Sequence, residues 1–333
     1  MIILTQQHKR KEKEMILSIF LIIIGFALLV KGADFLVEGS SSIAKKFHIP
    51  EIIIGLTIVS IGTSMPELFV SLTSALEGHS DMSMGNVIGS NIANLLLILG
   101  LSTVIRPIKF QKETRLIEMP MCLILTIIFM IFCNTGEGIT KIEAIILLIL
   151  FIIFIAYTII MGKKGEQFDK EDTIIELKTE DNKISILKSV IFIILGIIGL
   201  KVGGDLTVDN ALVVARHFNI SEKIISLTIL AIGTSLPELV TSVTAAIKGN
   251  SDIAIGNIIG SNIFNMLLII GVSAIINPIL YNTSYNLEMV ILILGILLLS
   301  LFPIIPPKNQ MNRSNGLIYL IMYVVYMIVL FVY

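Results

Sequence analysis

Shifted by 171 residues, the chain lies on itself. Gly55–Ser102 aligns with Ser226–Ser273 without a gap, and 29 of the 48 pairs are identical. The agreement continues backward through Gly32/Gly203, Asp34/Asp205 and Phe47/Phe218. Chance does not give this. The chain holds two copies of one unit, and its fold must be built from that unit used twice.

The unit is apolar. Of the 333 residues 55% are hydrophobic and 15% charged, where soluble domains carry about 25% charged residues. The mean hydropathy is +0.93. Crossing roughly 30 Å of hydrocarbon takes about 20 apolar residues in a helix. Ten stretches qualify: Met15–Val37, Ile52–Leu76, Met82–Ile105, Ile117–Cys133, Ile142–Met161, Ile186–Val208, Ile224–Ile247, Ile253–Ile276, Leu287–Ile305 and Gly316–Val332. None alternates polar and apolar residues as a barrel strand does. The expected fold is an all-α polytopic membrane protein of ten transmembrane helices. It divides into a polar leader (1–14), a first five-helix repeat (15–162), a linker (163–186) and a second five-helix repeat (187–333).

An odd number of spans per repeat forces the second copy into the opposite orientation. Inverted repeats of this kind hold a substrate site at their interface near the bilayer midplane. Positive charge gives the orientation. With the linker in the cytoplasm, fifteen Lys and Arg fall on that side, among them Lys45, Lys46, Arg106, Lys109 and Lys308. The other side holds Lys141, Arg216 and Lys223, with four more in the leader. Both termini are then outside the cell membrane. The leader's Lys9, Arg10, Lys11 and Lys13 oppose this placement, and Met15, which opens the first helix directly, is a candidate start. A net charge of −1 gives no reason to expect a nucleic-acid partner, and no obligate protein partner is evident. Cys122 and Cys133 read as small buried hydrophobes.

The chemistry sits in four segments. The second span carries Ser60-Ile-Gly-Thr-Ser-Met-Pro-Glu67, and the seventh carries Ala231-Ile-Gly-Thr-Ser-Leu-Pro-Glu238. A carboxylate inside an apolar helix is costly and points to function by default. Pro66 has no N–H for the carbonyl of Gly62, nor Pro237 for that of Gly233, so both helices should break there. Irregular backbone at that depth is tolerated where it lines a cavity or ion site. The third and eighth spans carry Gly85-Asn-Val-Ile-Gly-Ser-Asn-Ile-Ala-Asn94 and Gly256-Asn-Ile-Ile-Gly-Ser-Asn-Ile-Phe-Asn265. Ser90 and Asn94 share a helix face, as do Ser261 and Asn265. The glycines read as close-packing positions.

These segments offer oxygen alone. Ca²⁺ takes six to eight oxygen ligands, and the absence of Cys and His from them argues against Zn²⁺ or Cu⁺. Two carboxylates balance one Ca²⁺, two Na⁺ or two protons. A cation that enters must displace its predecessor, because two bare buried charges are unfavourable. That competition is exchange.

The paired Gly-Thr-Ser-x-Pro-Glu and Gly-Ser-Asn-Ile-x-Asn segments resemble the α-repeats of the cation/Ca²⁺ exchanger superfamily, and most closely the prokaryotic Na⁺/Ca²⁺ exchangers. The resemblance covers essentially the whole chain from Met15. It implies that Glu67 and Glu238 bind Ca²⁺ and share in Na⁺ binding, with backbone carbonyls of Thr63 and Thr234 as further Ca²⁺ ligands. It implies Na⁺ sites from Ser60, Ser64, Ser90, Ala231, Thr234, Ser235 and Ser261, with Ser60 and Ala231 giving carbonyls. Asn94 and Asn265 would lie at the centre. Some relatives carry Asp where this chain has Asn265; the change removes one charge and leaves K⁺ co-transport and stoichiometry open. No cofactor is expected; Ca²⁺ and Na⁺ are cargo.

Other features read structurally. Lys31/Asp34 and Lys201/Asp205 are spaced for ion pairs on helices. Asp81 and Asp252 look like N-caps. The segment from Lys163 to Lys188 mixes acids and bases as a solvated linker does, and the histidines read as surface residues. The leading function is a secondary Na⁺/Ca²⁺ antiporter working by alternating access. H⁺/Ca²⁺ antiport through the same glutamates is the alternative, and a cation channel is the rival of a different class. No nucleotide loop, metal-hydrolase motif or Ser/His/Asp set suggests an enzyme.

Overall fold

A computed structural model describes residues 2–78, 80–172, 185–218, 231–306 and 308–332, with side chains from 14–78, 82–162, 185–215, 217–218, 232–306 and 308–330. The protein is helical. We number its helices α1 (Ile2–Phe47), α2 (Glu51–Thr63), α3 (Met65–Leu76), α4 (Met82–Ile105), α5 (Thr114–Asn134) and α6 (Lys141–Asp172). The second half gives α7 (Ile186–His217), α8 (Ala231–Thr234), α9 (Leu236–Lys248), α10 (Ser251–Ile276), α11 (Thr283–Ile304) and α12 (Arg313–Val332). Among the described residues, eight helices are long and apolar enough to cross a membrane, or nine if α2 and α3 form one span bent by 50°. The first part of the expected seventh span, Ile224–Leu230, and residues 173–184 of the linker lie outside the described residues.

Burial separates the helices into two classes. In α4 and α10, 72% and 83% of the apolar window is buried, against 22% in α1, α6 and α12. The first pair is therefore central, although it carries the polar Gly-Ser-Asn segments. The outer helices expose rows of large aliphatic side chains such as Ile149, Ile152 and Ile153. Outside a bilayer that surface would be unfavourable; against lipid it is matched.

The first helix of each half packs on its counterpart. Gly25, Gly32 and Gly39 of α1 approach Gly203, Gly196 and Ser189 of α7, so partner numbers fall as α1 rises and the two helices run antiparallel. Glycine lets the backbones meet: a Cβ on Gly32 would lie 2.7 Å from Leu200 N and 2.9 Å from Gly196 O. Without a hydrophobic drive between helices in lipid, such close contact is what holds them. Gly25 and Gly196 are repeat equivalents, as are Gly32 and Gly203, so the contacts are reciprocal.

The loops show the same reciprocity. Ile108–Lys109 pairs antiparallel with Gln310–Met311, and Gly138–Ile139 with Ile279–Leu280. The strand after α4 thus pairs in the other half, and the matching strand after α10 pairs back. Cys122 and Cys133 are free and buried. Lys31 and Asp34 pair at 3.7 Å and Lys201 and Asp205 at 2.8 Å, as their spacing suggested. Asp34 also reaches Lys248 at 2.9 Å, tying α1 to the end of α9.

One capping expectation is corrected. Asn250 is the N-cap of α10; Asp252 lies inside the first turn and accepts a hydrogen bond from Gln111 Nε2 at 2.6 Å. A helix that begins at Ser251, two residues before the apolar pattern, moves the acid off the cap. The side chain of Asp81 lies outside the described residues. His48 is exposed and His217 half-buried; the side chain of His8, and His79 altogether, also lie outside.

Candidate ion-binding site

The prolines break their helices where the sequence places them. α2 ends at Thr63, Ser64 takes φ −84° and ψ 9°, and α3 begins with Pro66 in its first turn. Ser235 takes φ −89° and ψ 7° between α8 and α9, with Pro237 in the matching position. Each break sets a glutamate, Glu67 or Glu238, in the first turn of the helix that follows. The positive end of that helix favours a negative charge there.

Ser64 and Ser235 stand at the N-cap positions but do not cap. Their hydroxyls cross to the other half instead. Ser64 Oγ donates to Glu238 Oε1 at 2.7 Å, and Ser235 Oγ donates to Glu67 Oε1 at 3.2 Å. Contacts in which i meets j′ and j meets i′ are those of a two-fold relation. Glu67 and Glu238 are 1% and 0% exposed and near enough to interact electrostatically.

α4 and α10 supply the walls. Ser90, Ser261, Asn94 and Asn265 are buried. Ser90 lies beside Glu67 and Ser261 beside Glu238, yet neither hydroxyl completes a hydrogen bond. Both helices widen by π-type turns at this level, over Ala93–Ile98 in α4 and Asn265–Ile269 in α10. Such widening is frequent at functional sites.

Six buried oxygens here lack a hydrogen-bond partner: Glu67 Oε2, Glu238 Oε2, Ser90 Oγ, Ser261 Oγ, Asn94 Oδ1 and Asn265 Oδ1. They form three repeat-equivalent pairs. A buried polar atom without a partner is costly, and each such atom calls for an explanation. Oxygens of this number and kind match the needs of Ca²⁺; the two hydroxyls can turn their O–H away and offer lone pairs to a cation.

The remaining expected residues are placed less directly. Thr63 Oγ1 donates to Asn257 Oδ1 at 3.0 Å, and Thr234 Oγ1 to Asn86 Oδ1 at 3.5 Å. Ser60 stands apart from the six: its hydroxyl bonds Leu56 O at 2.9 Å, and its carbonyl accepts from Ser64 N at 3.0 Å. The side chain of Ala231 lies outside the described residues. Among the described residues, no three His, Cys, Asp or Glu side chains gather as a metal cluster. A cation held here would therefore rest on two carboxylates and neutral oxygens.

Four asparagines escaped the sequence reading as functional residues. Asn86 Nδ2 bonds Ser71 Oγ at 3.0 Å and Asn257 Nδ2 bonds Ser242 Oγ at 2.9 Å, tying α4 to α3 and α10 to α9. Asn91 and Asn262 bond across the centre to Asn265 and Asn94. All four are identical between the repeats, which was the available signal.

Comparison with known proteins agrees with this geometry. The family model for sodium/calcium exchanger protein matches residues 17–160 and again 188–332. The sodium/calcium exchanger MaX1 of Methanosarcina acetivorans is 30% identical, over 94% of this chain and 98% of that protein. The inner membrane protein YrbG of Escherichia coli strain K12 is 38% identical over 85% of this chain and 89% of its own length. A solved structure of the sodium-calcium exchanger NCX_Mj superposes with a TM-score of 0.80 at 33% identity, covering 93% of this chain and 97% of that one. The family pattern fills each half of the chain in turn, over the same two units that the self-alignment and the reciprocal contacts mark out, and the protein belongs to the sodium/calcium exchanger family.

Proposed function

We propose that this protein is a secondary antiporter that exchanges Ca²⁺ for Na⁺ across a cell membrane by alternating access. Glu67 and Glu238 share one site and carry its charge. Ser64, Ser90, Ser235, Ser261, Asn94 and Asn265, with carbonyls of Ser60, Thr63, Ala231 and Thr234, complete the shells for Ca²⁺ or Na⁺. The observation that carries this reading is the set of six unpartnered buried oxygens in three repeat-equivalent pairs. A proton relay needs few such ligands; a cage for a metal cation needs all of them.

The architecture in this reading is ten spans in two inverted repeats, 15–162 and 187–333. The antiparallel run of α1 against α7 supports it. The linker at 163–186 is cytoplasmic and both termini are outside, on the balance of Lys and Arg between the loops. One Ca²⁺ or two Na⁺ neutralise the two carboxylates. The empty site holds two unbalanced buried charges, so reorienting empty is disfavoured and exchange is favoured over leak.

The test is flux in vesicles. Vesicles holding the purified protein and loaded with Na⁺ are expected to take up ⁴⁵Ca²⁺ when diluted into Na⁺-free buffer. Uptake driven by a pH gradient with no response to Na⁺ would replace Na⁺ by H⁺ as the coupling ion. Conductive uptake driven by voltage alone would make the protein a channel.

A further inference from the structure

Asn91 and Asn262 are 0% and 1% exposed and join α4 to α10 by hydrogen bonds. Their bonds form two chains that cross between the halves. Asn91 Nδ2 donates to the backbone carbonyl of Asn262 at 3.3 Å, and Asn91 Oδ1 accepts from Asn265 Nδ2 at 3.0 Å. In the second chain, Asn262 Nδ2 donates to the carbonyl of Asn91 at 3.4 Å, and Asn262 Oδ1 accepts from Asn94 Nδ2 at 3.1 Å.

A backbone carbonyl accepts and never donates. It therefore holds the NH₂ end of Asn91, which turns Asn91 Oδ1 towards Asn265. That oxygen in turn holds the NH₂ end of Asn265. The remaining end of Asn265, Oδ1, faces away from the chain and has no partner. The same logic runs from the carbonyl of Asn91 through Asn262 to Asn94, whose Oδ1 is also unpartnered. On the reading of this centre as a cation site, an amide turned over would present NH₂ to the cation in place of oxygen.

We propose that Asn91 and Asn262 are positioning residues that fix the amide polarity of Asn265 and Asn94, so that the centre of the site presents oxygen to the cation. This rests on the reading of that centre as a cation site. It assigns the first Asn of each Gly-Ser-Asn-Ile-x-Asn segment a role separate from ligation. It also makes each half set the ligand polarity of the other, because each relay begins and ends in the opposite repeat.

The experiment is equilibrium ⁴⁵Ca²⁺ binding to the purified full chain, with Na⁺ competition and thermal melting measured on the same samples. Asn91→Leu keeps the branched heavy-atom skeleton, removes both polar atoms and is expected to weaken Ca²⁺ binding on the order of tenfold, the loss of one hydrogen-bond-strength contact to a charged group. Asn265→Asp in that background is expected to restore binding, because a carboxylate has oxygen at both ends and no polarity to set. The gain from Asn265→Asp must be larger in the Asn91→Leu protein than in the unaltered one, since only that excess reports the coupling. Asn91→Ala offers the same cycle if Asn91→Leu does not fold. Unchanged binding in the folded Asn91 variant, or an equal gain from Asn265→Asp in both backgrounds, overturns the proposal and leaves the site reading standing. No Ca²⁺ binding by the unaltered protein removes both.

Discussion

Gly32→Ala is expected to destabilise the protein, although alanine is the better helix former. In α1 the new methyl would lie 2.7 Å from Leu200 N, 2.9 Å from Gly196 O and 3.0 Å from Gly199 C, all backbone atoms that cannot rotate aside. Reaching an ordinary contact of about 3.4 Å requires α1 and α7 to part by roughly 0.7 Å at this point. A gap of that size forfeits about a quarter to a half of each dispersion contact along the seam. Overpacking of this kind costs about 1–3 kcal/mol, against a helix-propensity gain of about 0.8–1 kcal/mol for replacing glycine. Gly162 is the control. Its added methyl would meet only the Ile49 and Ile53 side chains at 3.6 and 3.7 Å, so Gly162→Ala should keep the propensity gain. Thermal melting of the full chain in one detergent compares them. Gly32→Ala should melt a few degrees below the unaltered protein and Gly162→Ala at or above it. If both variants melt alike, the backbone-to-backbone seam between α1 and α7 is not what holds these helices.

Two further outcomes follow from single side chains. Asn265→Asp adds a third carboxyl to a buried site, and three cannot all ionise without a cation between them. ⁴⁵Ca²⁺ flux should fall more steeply with acid than in the unaltered protein, while an unchanged pH profile would show that Asn265 does not face the glutamates. Glu118 is buried near the start of α5, where Oε1 accepts from Tyr157 Oη at 2.7 Å and Oε2 has no partner. Tyr157→Phe should therefore cost about 1–3 kcal/mol, seen as a lower melting temperature with flux per folded molecule retained; unchanged melting would show that the bond contributes nothing.

Much of the fold was legible because lipid requires a spanning segment to satisfy its backbone within itself or in a closed barrel, and these apolar stretches have helical length without a barrel's alternation. The edges were less so. The sequence reading started the first helix at Met15, whereas α1 runs from Ile2, because polar residues that leave the hydrocarbon can continue a helix without an apolar signal. The breaks at Ser64 and Ser235 followed from proline chemistry alone. The crossing of Ser64 to Glu238 did not, since an N-cap serine ordinarily serves its own helix. The pairing of α1 with α7 was likewise hidden: glycine spacing shows that a helix is approached closely, but not by which neighbour. Asn91 and Asn262 were visible as identities between repeats, yet only hydrogen-bond direction separates a ligand from the residue that aims it.

The claim that Glu67 and Glu238 serve one shared ion is tested most directly by removing either charge. Gln keeps the volume and one oxygen, so what is lost is charge and not packing. Glu67→Gln and Glu238→Gln are each expected to nearly abolish ⁴⁵Ca²⁺ flux per folded molecule, with thermal stability in detergent held or raised, because the empty site no longer sets two acids against each other. If each glutamate merely satisfied a local partner, the order would reverse, with lowered stability and retained flux. Near-normal Ca²⁺ transport by either folded variant would contradict the shared site and the exchange mechanism built on it.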